Sequence, residues 1–194
     1  MPIGATVIFH LIFALPSILV IMQFLWALSL PLAAKIVIAI LMLVASQFQL
    51  WSRFSSGSIF APEFPRALII LFNWAGGAIL FLALLQMLLD AARLGSWAVT
   101  GERMGVPDGV RYGMAIVASL LAGVGVANAV RLPPVRDVEI AVRDLPPQFD
   151  GYRLLHLTDL HISRLFPARW ARRLVDHANT LDADLVVVTG DVID

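Results

Sequence analysis

The sequence predicts an α-helical membrane domain of four spans over residues 1–131, a linker at 132–134, and the start of an α/β domain over residues 135–194. The order expected in that second part is strand, strand, helix, parallel strand. Three observations carry this reading. Hydrophobic residues make up 59% of the 194 residues and charged residues only 14%, which is far from the balance of an ordinary globular domain. The apolar residues collect in four long segments before Leu132-Pro133-Pro134, each long enough to cross a bilayer. Beyond those prolines the charge balance reverses, from 7 basic and 4 acidic groups in residues 1–134 to 7 basic and 10 acidic in residues 135–194, and short apolar runs replace long ones.

The net charge of zero is the cancellation of these two parts. Neither part carries the basic face that nucleic-acid binding needs, so no nucleic-acid partner is expected. The chain has no Cys, which excludes disulfides and thiolate metal sites.

The first span is expected over residues 3–30, where only His10, Ser17, Gln23 and Ser29 interrupt the apolar run. His10 is either an intramembrane polar site or a boundary residue. A basic leader region and a cleavage site are not evident, so the segment is expected to stay in the mature protein. Pro31 breaks the pattern, and the second span runs over 32–51, with Lys35 placed to snorkel and Trp51 to anchor at the interface. Residues 52–66, with Ser55-Ser56-Gly57-Ser58, Pro62 and Pro65, read as a polar turn region. The third span covers 67–89, and its Asn73, Gly76, Gly77 and Gln86 suggest a face packed on other helices. Residues 91–111 read as a Gly-rich loop with an interfacial piece near Leu94 and Trp97. The fourth span covers 112–130, where Ser119, Gly123 and Ala127 repeat small residues four apart.

In residues 135–194, Val138, Ile140 and Val142 alternate with Asp137, Glu139 and Arg143, the pattern of an amphipathic edge strand. The runs Leu154-Leu155-His156-Leu157 and Leu185-Val186-Val187-Val188 read as a buried parallel pair, joined by a helix that begins near Pro167. Trp170, Leu174, Ala178 and Leu181 form the inner stripe of that helix. Arg169, Arg172, Arg173 and Asp176 lie outside, as a solvated face or as a contact for headgroups or an anionic substrate. His156 reads as a hydrogen-bonded core residue and His177 as solvated.

Each of the two strands ends in carboxylates. Thr158-Asp159-Leu160-His161 follows the first, and Thr189-Gly190-Asp191-Val192-Ile193-Asp194 the second. A right-handed crossover puts both at the carboxyl edge of the sheet, where open α/β sheets bind ligands. An Asp after a strand is also a common turn former or helix cap. A carboxylate and an imidazole two residues apart can grip one cation, and a carboxylate from the next strand can bridge to another.

In these blocks, D-x-H and G-D-x-x-D, the chain resembles the calcineurin-like metallophosphoesterases, and in wording their bacterial membrane-anchored branch. The resemblance covers residues 135–194. It implies an α/β metallophosphoesterase sandwich in which Asp159 and His161 bind one metal and Asp191 bridges two, with no catalytic residue separate from these ligands. Gly190 then allows a close backbone approach, and Asp194 stands behind the ligands as an orienting residue. The family's later G-N-H and G-H-x-H blocks are absent, so the chain is expected to be the N-terminal part of a longer protein and inactive alone. The complete protein is expected to be a membrane-anchored hydrolase of phosphomonoesters or phosphodiesters, possibly lipid-linked, that acts by metal-activated water. Its expected cofactors are two divalent ions (Mn, Fe or Zn), and its expected place is the bacterial cytoplasmic membrane, as a multi-pass protein in contact with the lipid bilayer. The alternative is a membrane protein whose soluble part is a non-catalytic sensor or interaction module.

Four crossings put the N-terminus and the soluble part on one side of the membrane. Arg53, Arg66, Arg131, Arg136 and Arg143 then face Lys35, Arg93, Arg103 and Arg111 across it, a bias too small to orient the chain. Reporter fusions after Met1 and after Pro134 should read the same compartment. Opposite compartments would mean that residues 3–51 cross once rather than twice.

Overall fold

The computed structural model describes residues 12–102 and 104–193. The chain divides into two compact units, residues 1–129 and 130–194.

The first unit is helical. Helix α1 (Ile12–Leu25) is apolar, and its second half, Val20–Leu25, is wound as a π-helix, with the Trp26 N–H donating to the Ile21 carbonyl at 3.1 Å. It is followed by α2 (Leu32–Ser46), α3 (Phe48–Ser56), α4 (Arg66–Thr100) and α5 (Asp108–Ala129). The core of the unit is built where Val20, Phe24, Leu25 and Leu28 meet Ala83 of α4, with Met42 of α2 and Met114 and Ala115 of α5 packed around them.

Helices α4 and α5 run antiparallel, and their register can be read at three levels. The Trp74 indole N–H donates to the Ser119 carbonyl at 3.0 Å. A Cβ on Gly77 would lie 3.3 Å from the Ala122 Cβ. Beyond Asp90, the Arg93 Nε–H donates to the Met104 carbonyl at 3.3 Å. This register sets Gln86 level with Arg111, and both are buried. The Gln86 amide donates to Asp90 on its own helix at 2.9 Å, and Arg111 reaches the Gln23 carbonyl of α1 at 3.4 Å. Ser119, Gly77 and Gln86 therefore lie on packed faces, as their types suggested. Asn73 instead bonds the Ile69 carbonyl of its own helix at 2.9 Å.

The span boundaries depart from expectation. Two described helices, α4 and α5, are long and apolar enough to cross a membrane, and the α2–α3 pair makes a third if it is counted as one span despite its 55° bend. Among the described residues that makes two or three candidate spans. The expected first span, residues 3–30, begins outside the described residues. Its described helix ends at Leu25, five residues before Leu30. The second span is broken at Gln47, which leaves helical geometry at φ −98° and ψ 27°. The third runs eleven residues past Leu89, because Ala91-Ala92-Arg93-Leu94 are good helix formers and the stop comes only where Gly101 takes a left-handed cap at φ 73°. Lys35 turns back to the Trp26 carbonyl at 2.9 Å, with its ammonium 5.8 Å from the Trp26 ring.

The second unit contains β1 (Leu154–Thr158), α6 (Ala168–Ala178) and β2 (Leu185–Thr189). The strands pair in parallel, from Leu154 opposite Leu185 to Thr158 opposite Thr189. Asp184 ties their starts: its carboxylate accepts from the Arg153 N–H at 2.7 Å, and its own N–H donates to the Arg153 carbonyl at 2.8 Å. Pro167 is the N-cap of α6, and Trp170 and Leu174 are its buried residues, with the Phe166 ring tilted against Trp170 at 4.8 Å between centroids. The expected edge strand does not form. Val138 and Ile140 are 71% and 76% exposed, and an alternating segment with no surface to bury its apolar face gains nothing from extending.

Gly77→Leu should separate α4 from α5, since even a Cβ there is tight against Ala122; overpacking of this kind costs about 1–3 kcal/mol. Gly123→Ala, whose Cβ would meet the Trp74 ring at an ordinary 3.9 Å, should leave the thermal midpoint in detergent unchanged. Equal midpoints for both variants would show that the pair does not pack at Gly77.

Candidate functional site

The parallel ladder does not end with the strands. The Asp159 N–H donates to the Thr189 carbonyl at 3.2 Å, the His161 N–H to the Asp191 carbonyl at 3.1 Å, and the Ile162 N–H to the Val192 carbonyl at 2.9 Å. A further bridge joins Ile162 to Ile193. The two acidic loops are thus zipped along their backbones, and this brings Asp159, His161, Gly190 and Asp191 to one edge.

Three of these residues take left-handed backbone conformations: Asp159 at φ 50°, His161 at φ 46° and Gly190 at φ 73°. Asp tolerates this region through its short polar side chain, and residues held in sparsely populated conformations cluster where a site over-determines them. The Asp159 carboxylate is gripped from two directions. Its Oδ2 accepts from the Thr158 hydroxyl at 2.7 Å and its Oδ1 from the Asp191 N–H at 3.2 Å.

A Cβ on Gly190 would overlap that carboxylate, lying 2.8 Å from its Cγ and 3.1 Å from the Thr158 Oγ1. The glycine is therefore required twice, for its backbone angle and for its missing side chain.

The Thr158 hydroxyl, then the Asp191 N–H, and more weakly the charges of His161 and His156 hold the Asp159 carboxyl below its ordinary value against a small opposing desolvation. With its pKa lowered, Asp159 is ionised at neutral pH. The stabilisation it contributes is present above the unfolded carboxyl's pKa and is lost as pH falls through the lowered value.

Of the residues expected at the site, Asp159, His161, Gly190 and Asp191 share this edge, while Asp194 lies outside the described residues. Asp191 joins the edge through its backbone, and its side chain is exposed. Among the described residues, no group of three His, Asp or Glu side chains is placed to hold a metal ion. The donor types nonetheless suit a hard or borderline divalent cation, and the Gly190 cradle leaves the ionised Asp159 carboxylate unobstructed.

Two participants were not singled out from sequence. Thr158 fixes Asp159, and Thr189 meets the His156 Nε2 at 2.6 Å. Their signal was position, since each is the last strand residue directly before an acidic motif. His156 is hydrogen-bonded as expected, but its side chain is exposed and not in a core.

Comparison with known proteins yields three relatives by sequence. The chain is 39% identical over 79 residues to a transmembrane protein with metallophosphoesterase domain of Danio rerio, matching 41% of this chain and 18% of that protein. It is 31% identical over 120 residues to a transmembrane protein with metallophosphoesterase domain of Bos taurus, matching 59% of this chain and 27% of that protein. It is 30% identical over 87 residues to an uncharacterized metallophosphoesterase of Bacillus subtilis (strain 168), matching 43% of this chain and 30% of that protein. The chain therefore spans less than a third of the length of these curated relatives. Two of the three are vertebrate proteins, so the matches do not single out a bacterial branch. The 59% match to the bovine protein is longer than residues 130–194 and must include part of the helical unit. No family model matches the chain, and no solved structure matches it.

Gly190→Ala should destabilise the protein more than Gly151→Ala. Both positions are left-handed, at φ 73° and 75°, but a Cβ at Gly151 meets nothing within 4 Å. Forcing a side chain into that conformation costs about 1–2 kcal/mol at either place, so the excess at Gly190, read as a lower thermal midpoint, measures the overlap with Asp159. Equal losses would mean that the Asp159 carboxylate does not fill the space.

Proposed function

We propose that this chain carries the membrane anchor and the Asp159–His161 and Gly190–Asp194 blocks of a metal-dependent phosphoesterase of the calcineurin-like family. On this reading residues 1–131 are the anchor, 132–134 the linker and 135–194 part of the hydrolase domain. The observation that carries it is the zipped edge, where backbone hydrogen bonds bring two acidic loops together and leave an ionised carboxylate against a glycine that leaves it room. The names of the three relatives, two of them transmembrane proteins, support a membrane-associated phosphoesterase.

Asp159, His161 and Asp191 are the proposed ligands, with Gly190 and Asp194 shaping and orienting the loop. A pair of divalent cations (Mn, Fe or Zn) would supply Lewis acidity toward a phosphoryl oxygen and acidify a water molecule. The residues of this chain contribute charge and position: Thr158 and the Asp191 N–H fix the Asp159 carboxylate, and the paired left-handed residues aim the loop outward. The proposed substrate is a phosphomonoester or phosphodiester, possibly lipid-linked, and the proposed place is a bacterial cytoplasmic membrane crossed several times. A second reading, in which the soluble unit is a non-catalytic sensor or interaction module, is favoured by one observation: the described residues do not gather three ligand side chains.

Asp159→Asn and Asp191→Asn, made in the native gene product, separate the two. Each should lower Mn²⁺-dependent hydrolysis of a generic phosphodiester by at least the roughly 10–100-fold that loss of an outer-shell partner costs at metal sites. Unchanged turnover in both variants at equal metal occupancy would sink the enzymatic assignment.

A further inference from the structure

Residues 52–66 read from sequence as a polar turn and 48–51 as the end of the second span, yet the structure bonds the serines of this stretch within the chain and leaves Phe54 and Phe60 exposed. Helix α3 leaves α2 at a 55° bend and ends at Gly57, which is left-handed at φ 80°. Its serines are satisfied internally. The Ser52 hydroxyl donates to the Ser58 carbonyl at 2.8 Å, Ser55 to the Ser52 carbonyl at 2.8 Å and Ser56 to the same carbonyl at 3.2 Å. The loop backbone is caught in turn, with the Phe60 N–H donating to the Ser58 hydroxyl at 3.2 Å and the Glu63 N–H to the Ser55 hydroxyl at 3.1 Å.

The aromatic residues do the opposite. Phe54 is 74% exposed and Phe60 is 82% exposed. Phe48 stacks on Phe72 of α4 at 5.2 Å, and the Trp51 indole N–H caps the Val44 carbonyl of α2 at 2.9 Å, so the segment is tied at one end to two helices that enter the apolar bundle. Water does not favour exposed phenyl rings over exposed hydroxyls. A bilayer does, because polar groups there must find partners within the chain.

We propose that residues 48–65 form an interfacial wedge whose partner is the bilayer itself, with Phe54 and Phe60 seated at the boundary between headgroups and acyl chains. Three independent observations meet in this: the Phe54 and Phe60 rings exposed, the serine hydroxyls bonded within the segment, and continuity with α2 and α4. Exposed Arg53, beside Phe54, is placed to stay at headgroup level while the rings go deeper. The α2–α3 bend then has a physical role. It turns the chain from the direction of the bundle into the plane of the membrane.

The experiment exploits the absence of Cys from the chain. Phe54→Cys, Phe60→Cys and, as an exposed control in the other unit, Asp182→Cys are each nitroxide-labelled in the full chain and reconstituted into vesicles of three parts phosphatidylethanolamine to one part phosphatidylglycerol. Spectral power saturation then compares collisions with oxygen, which concentrates in lipid, and with a water-soluble nickel chelate. A positive depth parameter at positions 54 and 60 and a negative one at 182 are expected. A negative value at both wedge positions would place the rings in water and overturn the proposal. Low accessibility to both reagents would overturn it as well, because it would mean that a second copy or another protein covers the rings. Each position is read alone, so a label that disturbs α3 at position 54 leaves the loop reading at position 60 intact.

Discussion

A carboxylate oxygen of Asp159 occupies the volume that a side chain on residue 190 would need, and the geometry of the soluble unit's acidic edge depends on that exclusion. With no Cβ at Gly190, the second loop approaches the first closely enough for the Asp191 N–H to reach Asp159. The Thr158 hydroxyl and then that contact lower the carboxyl's pKa, so the glycine that permits the approach adds to what keeps the carboxylate ionised. The backbone zipper from Asp159 to Ile162 is what holds both loops in place while three of their residues sit at positive φ. At Asp159 and His161, strain of about 1–3 kcal/mol per residue persists only where neighbouring bonds over-determine it, and here the ladder supplies those bonds.

In the helical unit the comparable constraint is the close approach of α4 and α5 at Gly77 and Ala122. Small residues allow two backbones to come together where lipid offers no hydrophobic drive for association. The cost appears further along the pair, where the same register brings Gln86 and Arg111 to one level. Both are buried, and the Gln86 Oε1 and Arg111 Nε lack hydrogen-bond partners among the described residues. Arg111 spends its reach on the Gln23 carbonyl, inside the π-helical stretch of α1. Buried cations in membrane helices are expensive and usually have a specific partner, and here a carbonyl of an irregular turn takes that part.

What could be read from the sequence was what rests on local pattern with one strong interpretation. The parallel pair, the helix starting at Pro167, its Trp170 and Leu174 stripe and the meeting of Asp159, His161 and Gly190 at one edge all follow from short apolar runs and motif spacing. What could not be read was cooperative. Whether residues 91–100 continue a helix depends on the summed propensity of Ala91, Ala92 and Leu94 against one Gly95, and the sum outweighs the glycine. Whether Val138, Ile140 and Val142 make a strand depends on a sheet edge to join, which no local pattern reports. Thr158 and Thr189 carry no distinct sequence signal, because a threonine at a strand end is also an ordinary β-former; only the bonds to Asp159 and His156 distinguish them.

Residues 52–66 depart from the polar-turn expectation for a different reason. Four serines and a glycine look hydrophilic when each residue is scored alone, because the score assumes that every hydroxyl faces solvent. When a segment can close its own hydrogen bonds, as Ser52, Ser55 and Ser56 do on nearby carbonyls, the polar groups no longer ask for water and the surface is set by whatever remains. Here Phe54 and Phe60 are left on that surface beside Arg53. Composition therefore describes the affinity of the unfolded segment, whereas partition into a membrane is decided by the folded one. The Asp159 loop follows the same logic in reverse: its carboxylate is fully engaged by Thr158 and Asp191, yet it stays charged and exposed, because charge-assisted bonds lower its pKa without removing it from solvent. In both places, hydrogen bonds that close within a few residues decide what the chain presents to its surroundings.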